Sequence, residues 1–270
     1  MDITLAFIGG GNMATAVIGG LRQAGWAAER FIVVEPTASQ RERLLTDHGV
    51  QALASADASL ARAQLVVWAV KPQLFVEAAA PCAPFVSGAL QLSVMAGLRC
   101  AAIQNASGSA QVVRAMPNTP ALIGAGIAGL YAQADVTPAQ RQLVEQVLAP
   151  TGTLLWVERE ADLDAVTALS GSGPAYFFYM VEAMVAAGVE MGLPAGQARE
   201  LAFATCRGAA LQGLSSAESP AVLRERVTSK GGTTHAAISS LEQDSVAAAM
   251  HRAVIAAQHR AQELGDEFSR

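Results

Sequence analysis

The chain has 270 residues, of which 52% are hydrophobic and 15% charged, with a formal net charge of −5. A charged share below the ~25% usual for soluble domains leaves enough apolar residues for a large core and for a surface facing a partner subunit. With an acidic balance and no block of Lys or Arg, nucleic acid and anionic membrane surfaces are excluded as partners.

Cys82, Cys100 and Cys206 lie far apart and form no paired motif, as expected of thiols in a reducing compartment. His48, His235, His251 and His259 show no metal-ligand spacing with Cys, Asp or Glu, so no metal is expected. The N-terminus enters a strand without a basic region and apolar stretch before it, so no signal peptide is expected. The most apolar helical segment, Tyr176 to Met191, is interrupted by Glu182 and Glu190 and is too short to span a bilayer. A cytoplasmic protein with no membrane contact is the expectation.

Ile3 to Ile8 is β-rich and ends at Gly9-Gly10-Gly11-Asn12-Met13-Ala14. An Ala-rich helical pattern follows to about Ala24, where Gly25 stops it. Strand, glycine turn and helix together give the G-x-G-x-x-A form of the dinucleotide fingerprint. Gly9 permits the tight turn, Gly11 lets a pyrophosphate approach the backbone, and Ala14 lets the helix pack close to the strand. The second strand, Phe31 to Val34, ends at Glu35. An acid there can accept bonds from the adenine-ribose hydroxyls of NADH. Thr37, Ser39, Arg41 and Arg43 open the next helix and can instead hold the 2′-phosphate of NADPH, which Glu35 repels unless it turns away. The commoner role of such arginines is a solvated helix face. The choice between NADPH and NADH is open at this level.

Leu65 to Val70 reads as a buried parallel strand ending at Lys71-Pro72. The carboxyl ends of such strands form the ligand crevice, which puts Ala69, Val70, Lys71 and Pro72 at the cofactor. Pro72 also suits the first position of a helix over Gln73 to about Ala80. Strands over 89–94 and 111–115 end at Met95-Ala96-Gly97 and at Met116-Pro117-Asn118-Thr119-Pro120. Any one of these ends reads as ordinary loop chemistry. Three in succession point to a flat ligand lying across them, with Ala96, Gly97 and Asn118 beside it. Gly126 to Tyr131 is a further strand, Thr137-Pro138 starts a helix to about Leu148, and 153–157 is the last strand. The alternation gives a Rossmann-like, doubly wound, mostly parallel α/β domain over residues 1–158.

Beyond Glu158 the strand signal disappears, and residues 159–270 read as an all-α domain. Asp162 to Leu169 is a short helix, and Ser170-Gly171-Ser172-Gly173-Pro174 is a break with Pro174 at a helix start. The helix over Tyr176 to Met191 is apolar nearly all round and should be buried on every side. A half of ~110 residues hardly wraps such a helix alone, so a second subunit is expected to cover it. Helices to about Leu211 and to Val227 follow, then Thr228-Ser229-Lys230-Gly231-Gly232-Thr233-Thr234-His235, then two more helices. Adjacent glycines turn backbone N–H groups toward a ligand, hydroxyls add donors, and the next helix adds the positive end of its dipole. That suits a small carboxylate, although a plain helix–helix turn explains the stretch equally well by itself.

Gly9-Gly10-Gly11-Asn12-Met13, Ala69-Val70-Lys71-Pro72-Gln73, Arg114 to Pro120, Ala168 to Tyr176 and Val227 to Thr234 occur in this order. Together they closely resemble pyrroline-5-carboxylate reductases over essentially the whole chain. The last two motifs are the specific ones; the first is shared with many dehydrogenases. The resemblance implies reduction of the cyclic imine 1-pyrroline-5-carboxylate to L-proline with NADPH or NADH, the last step of proline biosynthesis. It also implies helical domains intertwined in a dimer, often assembled into a decamer, with a site completed by the partner subunit. The substrate loop falls on Gly231, Gly232, Thr233 and Thr234, with the Thr234 hydroxyl near the ring nitrogen as the catalytic contact. Cofactor contacts fall on Gly9, Gly10, Gly11, Asn12, Met13, Ala14, Glu35, Ala69, Val70, Lys71, Pro72, Ala96, Gly97 and Asn118. Many members have Pro where Lys230 stands, and Lys230 either attracts the substrate carboxylate or faces solvent.

Reducing a C=N bond requires hydride at carbon and a proton on nitrogen. A protonated imine is already a good electrophile, so orientation against the nicotinamide is the main catalytic contribution. The absence of a His–Asp or paired-carboxylate arrangement is consistent with that chemistry. A 3-hydroxyacid dehydrogenase of similar architecture must take a proton from an alcohol and typically carries a Lys and an Asn near the start of the long helix. Ala175 to Ala187 contains neither. A non-catalytic dinucleotide sensor, the other alternative, leaves Gly231-Gly232-Thr233-Thr234 without a substrate.

Overall fold

The computed structural model describes residues 3–268. They form two compact units: one runs to Ser172 and includes the segment from Ala257 onward, and the other spans Gly173–Ala256. In the first unit, β1 (Leu5–Ile8), α1 (Asn12–Gln23), β2 (Phe31–Val34), α2 (Ala38–His48) and β3 (Leu65–Trp68) alternate. Next come α3 (Phe75–Ala79), α4 (Ala83–Val86), β4 (Leu90–Ser93), α5 (Cys100–Ser107) and β5 (Val112–Met116). The sheet is completed by β6 (Gly126–Ala132), α6 (Pro138–Leu148) and β7 (Gly152–Trp156). A short α7 (Asp162–Val166) then runs into a π turn, Thr167–Gly171.

The strand order is β2-β1-β3-β4-β5-β6-β7, and every neighbouring pair is parallel except β5 with β6. This is the doubly wound, mostly parallel sheet expected from the alternation of strands and helices. Strands β1 to β4 are buried along their whole length, which is why they read as continuous apolar runs. Alternate residues serve opposite faces. Leu5, Phe7, Leu65 and Val67 pack with Val17, Leu44 and Val144 of α1, α2 and α6. Ala6, Ile8, Val66 and Trp68 pack with Phe75, Val86 and Ile103 of α3, α4 and α5. The expected start of α6 is a capping box: the Thr137 hydroxyl accepts from the Gln140 N–H, and the Gln140 side chain accepts from the Thr137 N–H. The helix α5 was not among the expected elements. Its mixed polar sequence has weak periodicity, and its end is marked by Gly108 in the left-handed region at φ +72°.

The second unit consists of α8 (Gly173–Glu190), α9 (Ala195–Leu214), α10 (Pro220–Arg226), α11 (Thr233–Gln243) and the first half of α12 (Val246–Glu267). Small residues bring α8 and α9 together: a Cβ on Gly188 would lie 2.9 Å from the Ala198 Cβ. Apart from the buried Val181, much of the apolar surface of α8 faces outward, and Phe177, Phe178 and Tyr179 are 62%, 58% and 74% exposed. The helix expected to be buried on every side is therefore left uncovered within one chain. Exposed apolar area on this scale marks a surface for another protein.

A charged cluster, unforeseen from the sequence, fastens the end of the first unit to its sheet. Arg114 of β5 is 3% exposed and donates to Glu160 Oε1 at 2.8 Å. The same oxygen accepts the Cys100 N–H at 2.7 Å. Arg99 donates to both oxygens of Asp164, at 3.3 and 3.1 Å, and lies against Gly265 of α12. Removing one member of a buried pair leaves the other charge without compensation. Glu160→Ala should therefore cost about 2 kcal/mol or more, an estimate lowered because a quarter of the Glu160 side chain is exposed. The melting temperature should fall by roughly 4–8 °C in a thermal scan; an unchanged value would show that the cluster contributes nothing to stability.

Candidate active site

Because β1, β3, β4 and β5 are parallel, their carboxyl ends share one edge of the sheet. The glycine turn opens this edge. Gly9 has φ +99°, and a Cβ there would lie 2.6 Å from the Ala69 carbonyl oxygen. Only glycine fits both the conformation and the space. Its N–H donates to the Val34 carbonyl, and the Ala69 N–H to the Ile8 carbonyl, each at 2.8 Å. The ends of β1, β2 and β3 are thus joined by backbone alone. Gly11 is the N-cap of α1 and carries no capping side chain, and no heavy atom lies within 4 Å of where its Cβ would be. The start of α1 therefore faces open space with free N–H groups, which suits a phosphate. Asn12 is exposed and Met13 half-buried, while Ala14 is fully buried against the sheet.

Glu35 is turned inward. It is 8% exposed; its Oε2 accepts the Gly10 N–H and its Oε1 the Thr37 N–H, both at 2.8 Å. The carboxylate braces the glycine turn from below. Arg41 Nη1 donates to the carbonyls of Glu35 and Pro36, at 2.9 and 2.7 Å. Thr37, the N-cap of α2, makes no capping bond with its side chain, and Thr37, Ser39 and Arg43 are exposed.

Ala69 and Val70 are half-buried at the end of β3, and the exposed Lys71 precedes a 3-10 turn that starts at Pro72. After β4, Ala96 is half-buried and Gly97 takes φ +76° beneath α12, where a Cβ would lie 3.2 Å from Phe268 and 3.3 Å from Leu264. After β5, the Asn118 side chain is engaged at both ends. Its Nδ2 donates to the Ser170 carbonyl at 3.2 Å, and its Oδ1 accepts the Ile127 N–H at 3.1 Å.

The remaining candidates lie in the second unit. Gly231 has φ +77°, and the Gly232 N–H donates to the Ser229 carbonyl at 3.0 Å. Gly232 is the N-cap of α11, again without a capping side chain. The start of an eleven-residue helix is thus left open, with Thr233 exposed and Thr234 half-buried beside it. Lys230 is exposed. The structure so divides the candidates into two sets, one along the sheet edge and one at the start of α11.

Sequence reasoning missed the π turn and the charged cluster. The first has no compositional mark. The second had one, an Arg inside the apolar run Val112-Val113-Arg114-Ala115, because a buried Arg requires a partner. Neither buried thiol is set up as a nucleophile. Burial pushes Cys82 up to about 11, and burial together with the nearby Glu160 carboxylate pushes Cys100 higher still. A cleft of about 460 Å³ in the first unit lies at the opposite edge of the sheet between Gln64, Leu90 and Gln140, away from these residues. Among the described residues, no helix is long and apolar enough to cross a membrane.

Residues 160–264 match the family described as pyrroline-5-carboxylate reductase dimerisation, and residues 4–97 match the one described as NADP oxidoreductase, coenzyme F420-dependent. A pyrroline-5-carboxylate reductase of Pseudomonas aeruginosa is 43% identical over 266 residues, which cover 98% of this chain and 97% of that protein. The solved pyrroline-5-carboxylate reductase of Coxiella burnetii superposes with a TM-score of 0.90 at 35% identity, covering 98% of this chain and 99% of that one. The Plasmodium falciparum enzyme, solved with NADP bound, superposes with a TM-score of 0.87 at 27% identity, covering 97% and 98%. With such identity along nearly its whole length, the chain belongs to the pyrroline-5-carboxylate reductase family.

Proposed function

We propose that the chain reduces 1-pyrroline-5-carboxylate to L-proline with NADPH or NADH, the last step of proline biosynthesis. One observation carries this reading. A chain related along its whole length to these reductases has both an open dinucleotide turn and a glycine–threonine helix start with no capping side chain.

When bound, NADPH or NADH supplies hydride to the imine carbon. The chain's own groups bind and orient. The N–H groups of Gly11, Asn12 and Met13 hold the pyrophosphate, and Gly9, Gly10 and Ala14 keep the turn close to the sheet. Ala69, Val70, Lys71, Pro72, Ala96 and Gly97 border the nicotinamide half. Gly231 and Thr233 hold the substrate carboxylate through backbone N–H groups at the positive end of α11, and Gly232, whose own N–H is taken by the Ser229 carbonyl, shapes the turn that presents them. The Thr234 hydroxyl steadies the ring nitrogen, which enters already protonated. As the carbon gains hydride, the C=N π pair becomes a lone pair on nitrogen, and no general base takes part.

Residues 1–158 serve the nucleotide, and 159–270 serve dimerisation and the substrate. Paired chains bury the apolar face of α8, and the partner subunit completes each site. Dimers assemble further into a decamer, and the enzyme works in the cytoplasm.

The inward turn of Glu35 favours NADPH. Both carboxylate oxygens are engaged by backbone N–H groups, so the side chain is withdrawn from a 2′-phosphate. Thr37, Ser39 and Arg43 stand exposed at the same strand end to receive it. With the imine as substrate, kcat/KM should be about tenfold or more higher with NADPH than with NADH, as expected for charge-assisted bonds. Equal values would refute the nucleotide preference, and consumption of neither nucleotide by folded protein would refute the reaction. Thr234→Ala should lower kcat by about tenfold or more, the loss of a hydrogen bond to a charged group, with nucleotide Kd nearly unchanged. Parallel losses in both would make the loop a structural element only.

A further inference from the structure

We propose that Ser170 contacts the reacting ligands directly and that Asn118 is the positioning residue that aims it; this rests on the reductase reading above. The Ser170 hydroxyl oxygen is enclosed by the protein and has no hydrogen-bond partner among the described residues. An enclosed serine in a helical segment can bond back to a carbonyl three or four residues earlier. Here the π register takes the Thr167 carbonyl, three residues back, for the Ser172 N–H at 2.8 Å. Single π turns of this kind recur at functional sites. An enclosed hydroxyl left unpaired works against the fold unless something bound satisfies it.

The position of the turn points to what that is. A Cβ on Gly171 would lie 2.6 Å from the methyl carbon of Met116, so the turn is pressed against the last residue of β5. The carboxyl end of β5 lies on the same edge as the glycine turn and the Ala96–Gly97 loop. Asn118 fixes the turn there, donating to the Ser170 carbonyl and accepting from Ile127 across the β5–β6 connection. Its amide therefore serves the protein rather than the nucleotide. At this edge the reacting pair offers one shared chemistry, an N–H group, on the nicotinamide carboxamide or on the protonated imine. The Ser170 hydroxyl oxygen accepts a hydrogen bond from that N–H.

Two variants separate the parts. Ser170→Ala removes one oxygen and nothing else. Asn118→Asp keeps the acceptor for Ile127 but sets a carboxylate oxygen against the Ser170 carbonyl. NADPH Kd is read by protein fluorescence, imine KM and kcat at saturating NADPH, and folding by the melting temperature. Ser170→Ala should raise one binding constant roughly five- to tenfold, as for loss of one neutral hydrogen bond, with the melting temperature unchanged or higher. A rise in Kd identifies the carboxamide, and a rise in KM the imine. Asn118→Asp should shift the same constant at least as far, and the double variant should be no worse than Asn118→Asp. Both constants within about twofold of wild type for Ser170→Ala would overturn the proposal, whatever happens to kcat. So would Asn118→Asp shifting a constant that Ser170→Ala leaves alone, since Asn118 would then be the contact. If Asn118→Asp does not fold, Ser170→Ala alone decides. A wild-type protein inactive on the imine would refute the reductase reading instead, and the Kd measurement would still test the hydroxyl.

Discussion

The Gly9 backbone and the Ala69 carbonyl approach too closely for any side chain to come between them. The other features of the sheet edge follow from this contact. It requires the left-handed turn at Gly9, and that turn lets the Gly9 N–H reach the Val34 carbonyl and tie β1 to β2. Glu35, the residue after that strand, is thereby set under the turn to accept the Gly10 N–H. The result is a rigid backbone platform with an open helix start above it, which is what a pyrophosphate needs. Parallel register then brings the ends of β3, β4 and β5 to the same edge, so three further loops border the crevice there.

The helical unit follows a different logic. Its helices α8 and α9 meet through Gly188 and Ala198, and many of its large apolar side chains are left outside. A monomer would hold that surface against water at considerable cost, whereas a second copy would bury it. The match of residues 160–264 to a dimerisation family gives this chain self-association.

Local chemistry made much of this legible in advance. The glycine turn, the buried strands and the Thr137-Pro138 helix start each declare themselves within a few residues. Long-range partners do not. The partner of Arg114 lies 46 residues away, and that of Asn118 lies 52 away, so neither bond has a local signature. Glu35 sat at the expected strand end, but only the fold shows both its oxygens held by backbone. The helix from Asp162 is expected to end at Leu169; instead it widens into a π turn that carries it to Gly171, and the break falls at Ser172, inside the expected segment. A change of register of this kind arises from packing against Met116 and from the Asn118 bond, and both are tertiary.

The central claim is that the start of α11 in one chain serves the nucleotide bound by its partner. Gly11→Asp places a carboxylate in the open space proposed for the pyrophosphate, and Gly232→Asp places one at the proposed position of the substrate carboxylate. Both positions have φ values open to a side chain, −73° at Gly11 and −84° at Gly232; Gly11 has free space for a Cβ, whereas at Gly232 the Ser229 hydroxyl, 2.6 Å from that Cβ, must turn aside. Each variant alone should be inactive. A purified mixed dimer should regain about half the wild-type rate, because one of its two sites is assembled wholly from unaltered halves. A mixed dimer as inactive as its parents would show that each site is built within one chain, and would contradict the account.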